Sequence, residues 1–365
     1  MQVLIEGFFF MCERKVNRHM ENKRKVKKNQ ICSEEKLKLV NKDNLQLGYD
    51  FIDYLSSIDR SPTTIAAYKN DLNIFWVWVY ENLDNKFFID LKKRDIVKFQ
   101  NYCLNEYQWS PARLRRVKAC LSSLSNYIEN ILDDEYDDFR PIIKKIESPA
   151  NVKVMEKTVF KKEQLQYLLD VLVEREEYDK ACMLACCMSN GRRKSELPRL
   201  KLSYFTEENL LYGSLYKTPE TIKTKGRTSK GKQLTVYTLK NSFQKYLDLW
   251  VEYRKEHNIT SDWLIPKKVN GEYIDEPITI EVLNRWAEYF TKILEVPFYW
   301  HSLRHYFTTL MYESNIPDSV IKDIVGWDSV EMCILYNDQP VDHKFEKYFT
   351  EDGIKQVEEG KLTDL

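Results

Sequence analysis

Apolar positions recur at helical spacing from about residue 46 onward. Leu47, Phe51, Tyr54 and Leu55 fall on one face of a helix. Ser61-Pro62 is a helix start, with serine as N-cap and proline at the first helical position. The helix it opens turns Ile65, Tyr68, Leu72, Ile74 and Phe75 towards a core. A further helix is predicted over about 93–107, and a second start at Ser110-Pro111 opens one over Arg113–Leu132. Residues 46–147 therefore read as a unit of four or five helices. Residues 1–45 show no sustained period and are rich in Lys, Arg, Glu and Asn; they are expected to be a basic arm without stable structure beyond one frayed helix. A linker is placed at 148–158, where Ser-Pro-Ala-Asn interrupts any period. The second unit, 159–340, mixes helices at Lys161–Val173 and Tyr178–Met188 with a strand-rich stretch at 209–239. There Thr228–Gly231 is a turn between Ile222–Lys225 and Gln233–Leu239. Three or four helices follow as far as Tyr336, and 341–365 is a tail. The fold class predicted is multidomain and mainly α, an all-helical domain joined to an α+β domain with a small sheet.

The 365 residues accommodate two or three domains of roughly 100–200 residues each. Charge is balanced at 56 basic and 56 acidic residues, which argues against a polycation that coats nucleic acid. The distribution is uneven. Residues 1–47 carry eleven Lys/Arg against six Asp/Glu, and 337–365 carry four against eight. A neutral total leaves room for a basic face on one domain. No apolar run approaches the ~18–20 residues of a membrane helix, so no membrane partner is expected. Val3–Phe10 is short, contains Glu6 and lacks a basic preceding region, which makes a poor signal peptide; Met11 or Met20 are alternative starts. Eight cysteines without a CxxC, three of them in the apolar run 181–188, read as buried thiols of a reducing, cytoplasmic compartment.

Three strings stand out. Gly191-Arg192-Arg193-Lys194-Ser195-Glu196-Leu197 follows the Cys-rich helix; alone it reads as a cap and an exposed basic turn. His301-Ser302-Leu303-Arg304-His305 places two histidines at i, i+4. That pair could hold zinc, but the glutamate of the metalloprotease motif is replaced by Ser302 and no third ligand lies nearby, so no metal is expected. Gly326-Trp327-Asp328-Ser329 precedes Tyr336, which alone is one of 23 tyrosines.

Taken in order, Arg193, His301-x-x-Arg304, Gly326-Trp327 and a tyrosine nine residues beyond the tryptophan resemble the tyrosine recombinases, the phage integrase family. The family strings usually read G-L-R-x-S-E-L, H-x-L-R-H and G-H-x-S. This chain departs at Arg192, where leucine is usual, and at Trp327, where histidine is common and tryptophan also occurs. Ser61-x-x-Thr64-x-x-x-Tyr68-x-x-Asp71-Leu72-x-x-Phe75 is similar to the opening of the family's helical, SAM-like core-binding domain. The resemblance spans about 46–340. It implies a core-binding domain followed by an α+β catalytic domain, and an enzyme that breaks and rejoins DNA through a 3′-phosphotyrosyl bond.

The residues suit that chemistry. Arg193 and Arg304 would clamp the non-bridging oxygens, since two guanidinium forks are always protonated and bidentate. Tyr336 would attack as nucleophile; its phenol has a reference pKa of about 10 and needs help, for which His301 is the family's base. The family's hairpin lysine, which protonates the leaving 5′-oxygen, maps to Lys225, with Lys223 as runner-up on the same strand face. Glu196 would orient the basic groups, Trp327 would pack against the phosphate pocket and offer its indole N–H to an oxygen, and His305 would be a structural hydrogen-bonding residue. Arg113, Arg115, Arg116 and Lys118, on the Ser110-capped helix, are expected to meet DNA phosphates. The phosphotyrosine conserves bond energy, so no ATP, metal or other cofactor is implied. Partners implied are double-stranded attachment or recombination sites, further copies of the chain in a tetramer on DNA, and accessory bending or directionality proteins. Phe345, Tyr348, Phe349, Ile354 and Val357 lie near helical spacing in the tail; docking on a neighbouring protomer is the expected arrangement, and folding back on the chain's own catalytic domain is the alternative. Three other readings compete: type IB topoisomerase-like relaxation, a catalytically silent DNA-binding relative, and a zinc hydrolase on His301 and His305.

Overall fold

A computed structural model describes residues 31–150, 160–336, 349–350 and 353–354. The chain divides into two compact units. Each is a separate core, and the secondary structure matches the expected class of a helical domain followed by an α+β domain with small sheets.

The helical unit comprises α1 (Glu34–Leu37), α2 (Lys42–Ser57), α3 (Pro62–Asn82), α4 (Lys93–Asn105) and α5 (Pro111–Ile131). Both serine caps form. Ser61 Oγ accepts from the Thr64 amide and Ser110 Oγ from the Arg113 amide, each with proline at the next position. Leu47, Phe51 and Leu55 of α2 pack with Phe75, Trp76, Phe88, Phe99 and the inward face of α5. Phe75 meets Phe99 edge-on at 4.9 Å. The unit begins earlier than the pattern implied. Val40 and Asn44 are buried, and the Asn44 carboxamide donates to Lys86 O (2.8 Å) and accepts from the Phe88 amide (2.8 Å). Residues 31–45 are thus held by asparagine hydrogen bonds together with buried Val40 and the partly buried Cys32, Leu37 and Leu45. The rest of the predicted arm, and most of the linker, lie outside the described residues. Residues 225–232 group with this unit, where Arg60 and Thr228 form an antiparallel bridge and the Ser61 amide donates to Arg227 O (3.1 Å).

The other unit is built on α7 (Tyr178–Asn190), which packs against α6 (Lys162–Glu174), α8 (Lys240–Glu256), α10 (Trp300–Glu313) and strand β5 (Tyr237–Leu239). Every residue of α7 from Ala181 to Asn190 is buried. A helix apolar all round belongs in a core, and its Ala and Cys residues let four neighbours approach closely. Cys182, Cys186 and Cys187 are buried thiols, and burial pushes their pKa values upward. Strands β1 (Leu210–Leu211), β2 (Leu215–Lys217) and β5 form an antiparallel sheet in the order β1-β2-β5, with Tyr216 opposite Thr238. Strands β3 (Ile222–Thr224) and β4 (Lys232–Leu234) make a separate ladder, so the second predicted strand is split: 232–234 pairs with β3 and 237–239 with β2. Strands β6 (Pro266–Val269) and β7 (Glu272–Pro277) form a hairpin that the helical reading of this region omitted. Helices α9 (Ile280–Leu294), α11 (Asp318–Val325) and α12 (Glu331–Tyr336) complete the unit.

The tail differs from expectation. Phe349–Thr350 (β8) and Gly353–Ile354 (β9) pair as antiparallel strands, Phe349 opposite Ile354, so these two residues do not share a helical face. Phe345, Tyr348 and Val357 lie outside the described residues.

Candidate active site

The first string is set by the end of α7. Gly191 adopts the left-handed conformation (φ 58°) that stops the helix. A Cβ there would lie 2.7 Å from Phe307 Cδ1, so glycine is what lets α10 approach. Arg193 follows, half-buried. Its Nη1 donates to Glu196 Oε1 (3.1 Å) and its amide to Oε2 (3.2 Å). The Glu196 side chain is fully buried, so one carboxylate fixes both the backbone and the guanidinium of Arg193.

The second string lies on the first two turns of α10. His301 is exposed there, and its ring meets that of buried His305 edge-on at 5.5 Å. Among the described residues no group of three or more His, Cys, Asp or Glu is placed to hold a metal ion. Arg304 is fully buried. Its Nη1 donates to Gly191 O and its Nη2 to Val325 O, both at 3.0 Å. The Arg304 guanidinium also sits 5.1 Å from the centre of the Trp327 ring, within cation–π range. Arg304 thus joins all three strings.

The third string begins where α11 ends at Gly326, again left-handed (φ 75°), with a Cβ there blocked by Leu234 of β4. Trp327 is buried with Phe307, Met311, Ile321, Val325 and Cys333. Cys333 belongs to α12, which packs on α10 and α11 and whose last residue is Tyr336. The indole thus lies against the Arg304 guanidinium.

Lys223 and Lys225 are both exposed, flanking buried Thr224, as strand alternation predicts. Lys223 lies in β3 within the unit built on α7, and Lys225 lies in the segment that groups with the helical unit.

The expected DNA-binding residues of α5 are engaged internally to different degrees. Lys118 is a correction. It is buried, and its ammonium donates to Gln100 Oε1 (3.1 Å), Ile146 O (2.8 Å) and Glu147 O (2.9 Å). Burial lowers its pKa. It ties the segment after the helices to α5 and is not turned to solvent. Arg116 forms a two-pronged pair with buried Asp71 (Nε–Oδ2 3.0 Å, Nη2–Oδ1 2.6 Å), and half of its side chain remains accessible. Arg113 stacks over Trp109 at 4.4 Å, and exposed Arg115 donates to Pro149 O (2.7 Å).

The string that holds Arg192 reads, taken alone, as a cap and an exposed basic turn. Arg192 is instead among the largest fully buried side chains. A cation beside a helix end signals an exposed cap in sequence, and nothing local marks this one as internal.

Residues 158–343 match the phage integrase family, and residues 48–138 match the phage integrase N-terminal SAM-like domain. The SPbeta prophage-derived recombinase-like protein YomM of Bacillus subtilis (strain 168) is 27% identical over 281 residues, 75% of this chain and 78% of that one. Among solved structures, the XerH site-specific recombinase bound to palindromic difH substrate matches with a TM-score of 0.58 at 17% identity, covering 84% of this chain and 94% of that one. A lambda integrase(75-356) dimer bound to a COC' core site matches with a TM-score of 0.58 at 13% identity, covering 86% and 98%. The fold of both units is therefore one that solved recombinases share.

Proposed function

The chain belongs to the phage integrase family of tyrosine recombinases, and on that premise we propose that it cuts and rejoins duplex DNA at specific sites with Tyr336 as nucleophile. The observation that carries this reading is the convergence on Arg304. One guanidinium touches the turn that bears Arg193, the end of the helix before Trp327, and the Trp327 ring itself. Residues more than a hundred positions apart are thereby drawn to one place. The family pattern and the packing coincide there.

In the proposed reaction the scissile phosphate lies against Arg193 and Arg304, which neutralise charge as it shifts to the non-bridging oxygens. His301, exposed at the start of α10, takes the phenolic proton of Tyr336. Tyr336 forms the 3′-phosphotyrosyl bond and the 5′-oxygen leaves, protonated by Lys225. A 5′-hydroxyl then attacks the phosphotyrosine, so bond energy is retained and the step is reversible. Arg113, Arg115 and Arg116 retain partly accessible guanidinium groups for phosphate contact; Lys118 does not join them.

Solved relatives are described as a dimer on a core site and a tetramer on a Holliday junction. We infer the same mode here: protomers meet on DNA, with residues 341–365 docking between neighbours and accessory proteins setting direction. No helix among the described residues is long and apolar enough to cross a bilayer. The test is incubation with a nicked suicide duplex carrying the element's own junction sequence. A covalent protein–DNA adduct supports the reading, and its absence under conditions of demonstrated binding overturns it.

A further inference from the structure

Two helices of the catalytic unit end side by side. The last carbonyls of α7 belong to Asn190 and to the capping Gly191; those of α11 belong to Ile324 and Val325. A helix C-terminus leaves such carbonyls without intrahelical partners and carries partial negative charge, so cations are favoured there. Two guanidinium groups meet this need in parallel. Arg304 joins Gly191 O to Val325 O. Arg192 joins Asn190 O (Nε, 3.2 Å) to Ile324 O (Nη2, 2.6 Å).

Arg192 is fully enclosed, and burial lowers its pKa to about 10. Its Nη1 has no hydrogen-bond partner among the described residues. A buried cation kept only for stability would satisfy all its donors, and an apolar side chain of similar volume would serve stability as well or better. The cation is therefore to be explained by what it connects. On one side the next residue is Arg193. On the other, two residues beyond Val325, is Trp327, followed by the helix that ends at Tyr336.

We propose that Arg192 is a positioning residue for strand cleavage: with Arg304 it forms a paired guanidinium bridge that fixes the spacing between the Arg193 turn and the Trp327–Tyr336 segment. The bridge rests on the proposed function for its catalytic consequence and on geometry alone for its existence. It divides the anchoring of α11 between two arginines, so that Arg304 is not the sole tie of the segment that it also serves as phosphate clamp. The resembling family pattern carries leucine at this position, so the second tie is a feature of this chain's own sequence.

The test uses the full chain with Arg192→Leu and Arg192→Lys, labelled with 5-fluorotryptophan, the resonances of Trp327, Trp250 and Trp300 being assigned by Trp327→Phe, Trp250→Phe and Trp300→Phe. Three quantities are read: affinity for a single site, single-turnover adduct formation on the nicked duplex, and the fluorine resonances. Affinity of Arg192→Leu should stay within about threefold, so that the defect falls on the chemical step. Adduct formation should slow by about 10–100-fold, the range a small misplacement of reacting groups produces. The Trp327 resonance should move while those of Trp250 and Trp300 hold, and Arg192→Lys, which can reach one carbonyl, should recover part of the rate. Wild-type cleavage by Arg192→Leu overturns the proposal. So does an unmoved Trp327 resonance in both variants, or a loss of rate accompanied by displacement of all three resonances in both. If Arg192→Leu does not fold, Arg192→Lys decides alone: slower cleavage with a shift confined to Trp327 supports the bridge, and wild-type behaviour overturns it. If the wild-type chain forms no adduct, the proposed function fails, and the Trp327 resonance still decides whether the bridge exists.

Discussion

Single residues do most of the positioning in this site, and they do it through backbone groups as much as through one another. Glu196 holds the amide and the guanidinium of Arg193 together. Replacing Arg193 by lysine keeps a positive charge but removes the fork that both Glu196 and a phosphate would use. Arg193→Lys should therefore fold normally and cleave at least ~10²-fold more slowly in single turnover; an unchanged rate would leave Arg193 a purely structural residue. Lys118 makes the opposite case. Removing its ammonium as Lys118→Met would strand the carbonyls of Ile146 and Glu147, at a cost of about 1–3 kcal/mol in denaturant unfolding. Its DNA affinity and salt dependence should stay close to wild type; a salt slope shallower by about one would mean that this lysine does reach a phosphate. The sequence displays the residue types and their order, and the catalytic strings and both serine caps were legible from it. It does not display the inward turn of Lys118 or Arg192. Their partners lie 28 and 132 positions away, and a basic residue next to a helix end looks the same whether it faces water or a second helix.

At the scale of elements, legibility followed the strength of the period. Helices with a clear apolar face were found to within a few residues: the expected Arg113–Leu132 is Pro111–Ile131, and Tyr178–Met188 is Tyr178–Asn190. The start of α2 was obscured by the charged stretch around Lys36–Asp43, where asparagine hydrogen bonds share the anchoring with buried Val40. The β6–β7 hairpin left a signal that went unused. Asn270-Gly271 sits between two short alternating segments, and both residues take positive φ (51° and 92°), as a type I′ turn requires. Phe349 and Ile354 show the reverse error, since five apolar residues spread over a short tail fit more than one period. The β3–β4 hairpin matters most for function. If Lys225 protonates the leaving 5′-oxygen, a bridging 5′-sulfur, which leaves without a proton, should rescue Lys225→Ala and not Arg193→Lys. Rescue of Lys223→Ala in its place would move the acid two positions back, onto β3 itself.

For the whole molecule, balanced total charge hides unlike ends. The amino-terminal 47 residues are basic and the last 29 acidic. Removing residues 340–365 should leave single-site binding largely intact and abolish assembly on paired sites, read by native gel and by strand exchange. Tetramers formed by the shortened chain would show that the tail packs on its own protomer. The family assignment, the two-unit architecture and the convergence of three distant strings on Arg304 all lead to one chemical claim, that the phenol of Tyr336 becomes bonded to DNA. The direct measurement is peptide mapping of the adduct trapped on a nicked duplex, run beside Tyr336→Phe. The wild-type chain should yield one nucleotide-bearing peptide, modified at Tyr336, and Tyr336→Phe should bind the duplex with unchanged affinity and yield none. An adduct at normal yield from the phenylalanine variant, or a wild-type peptide modified at another residue, would contradict the account.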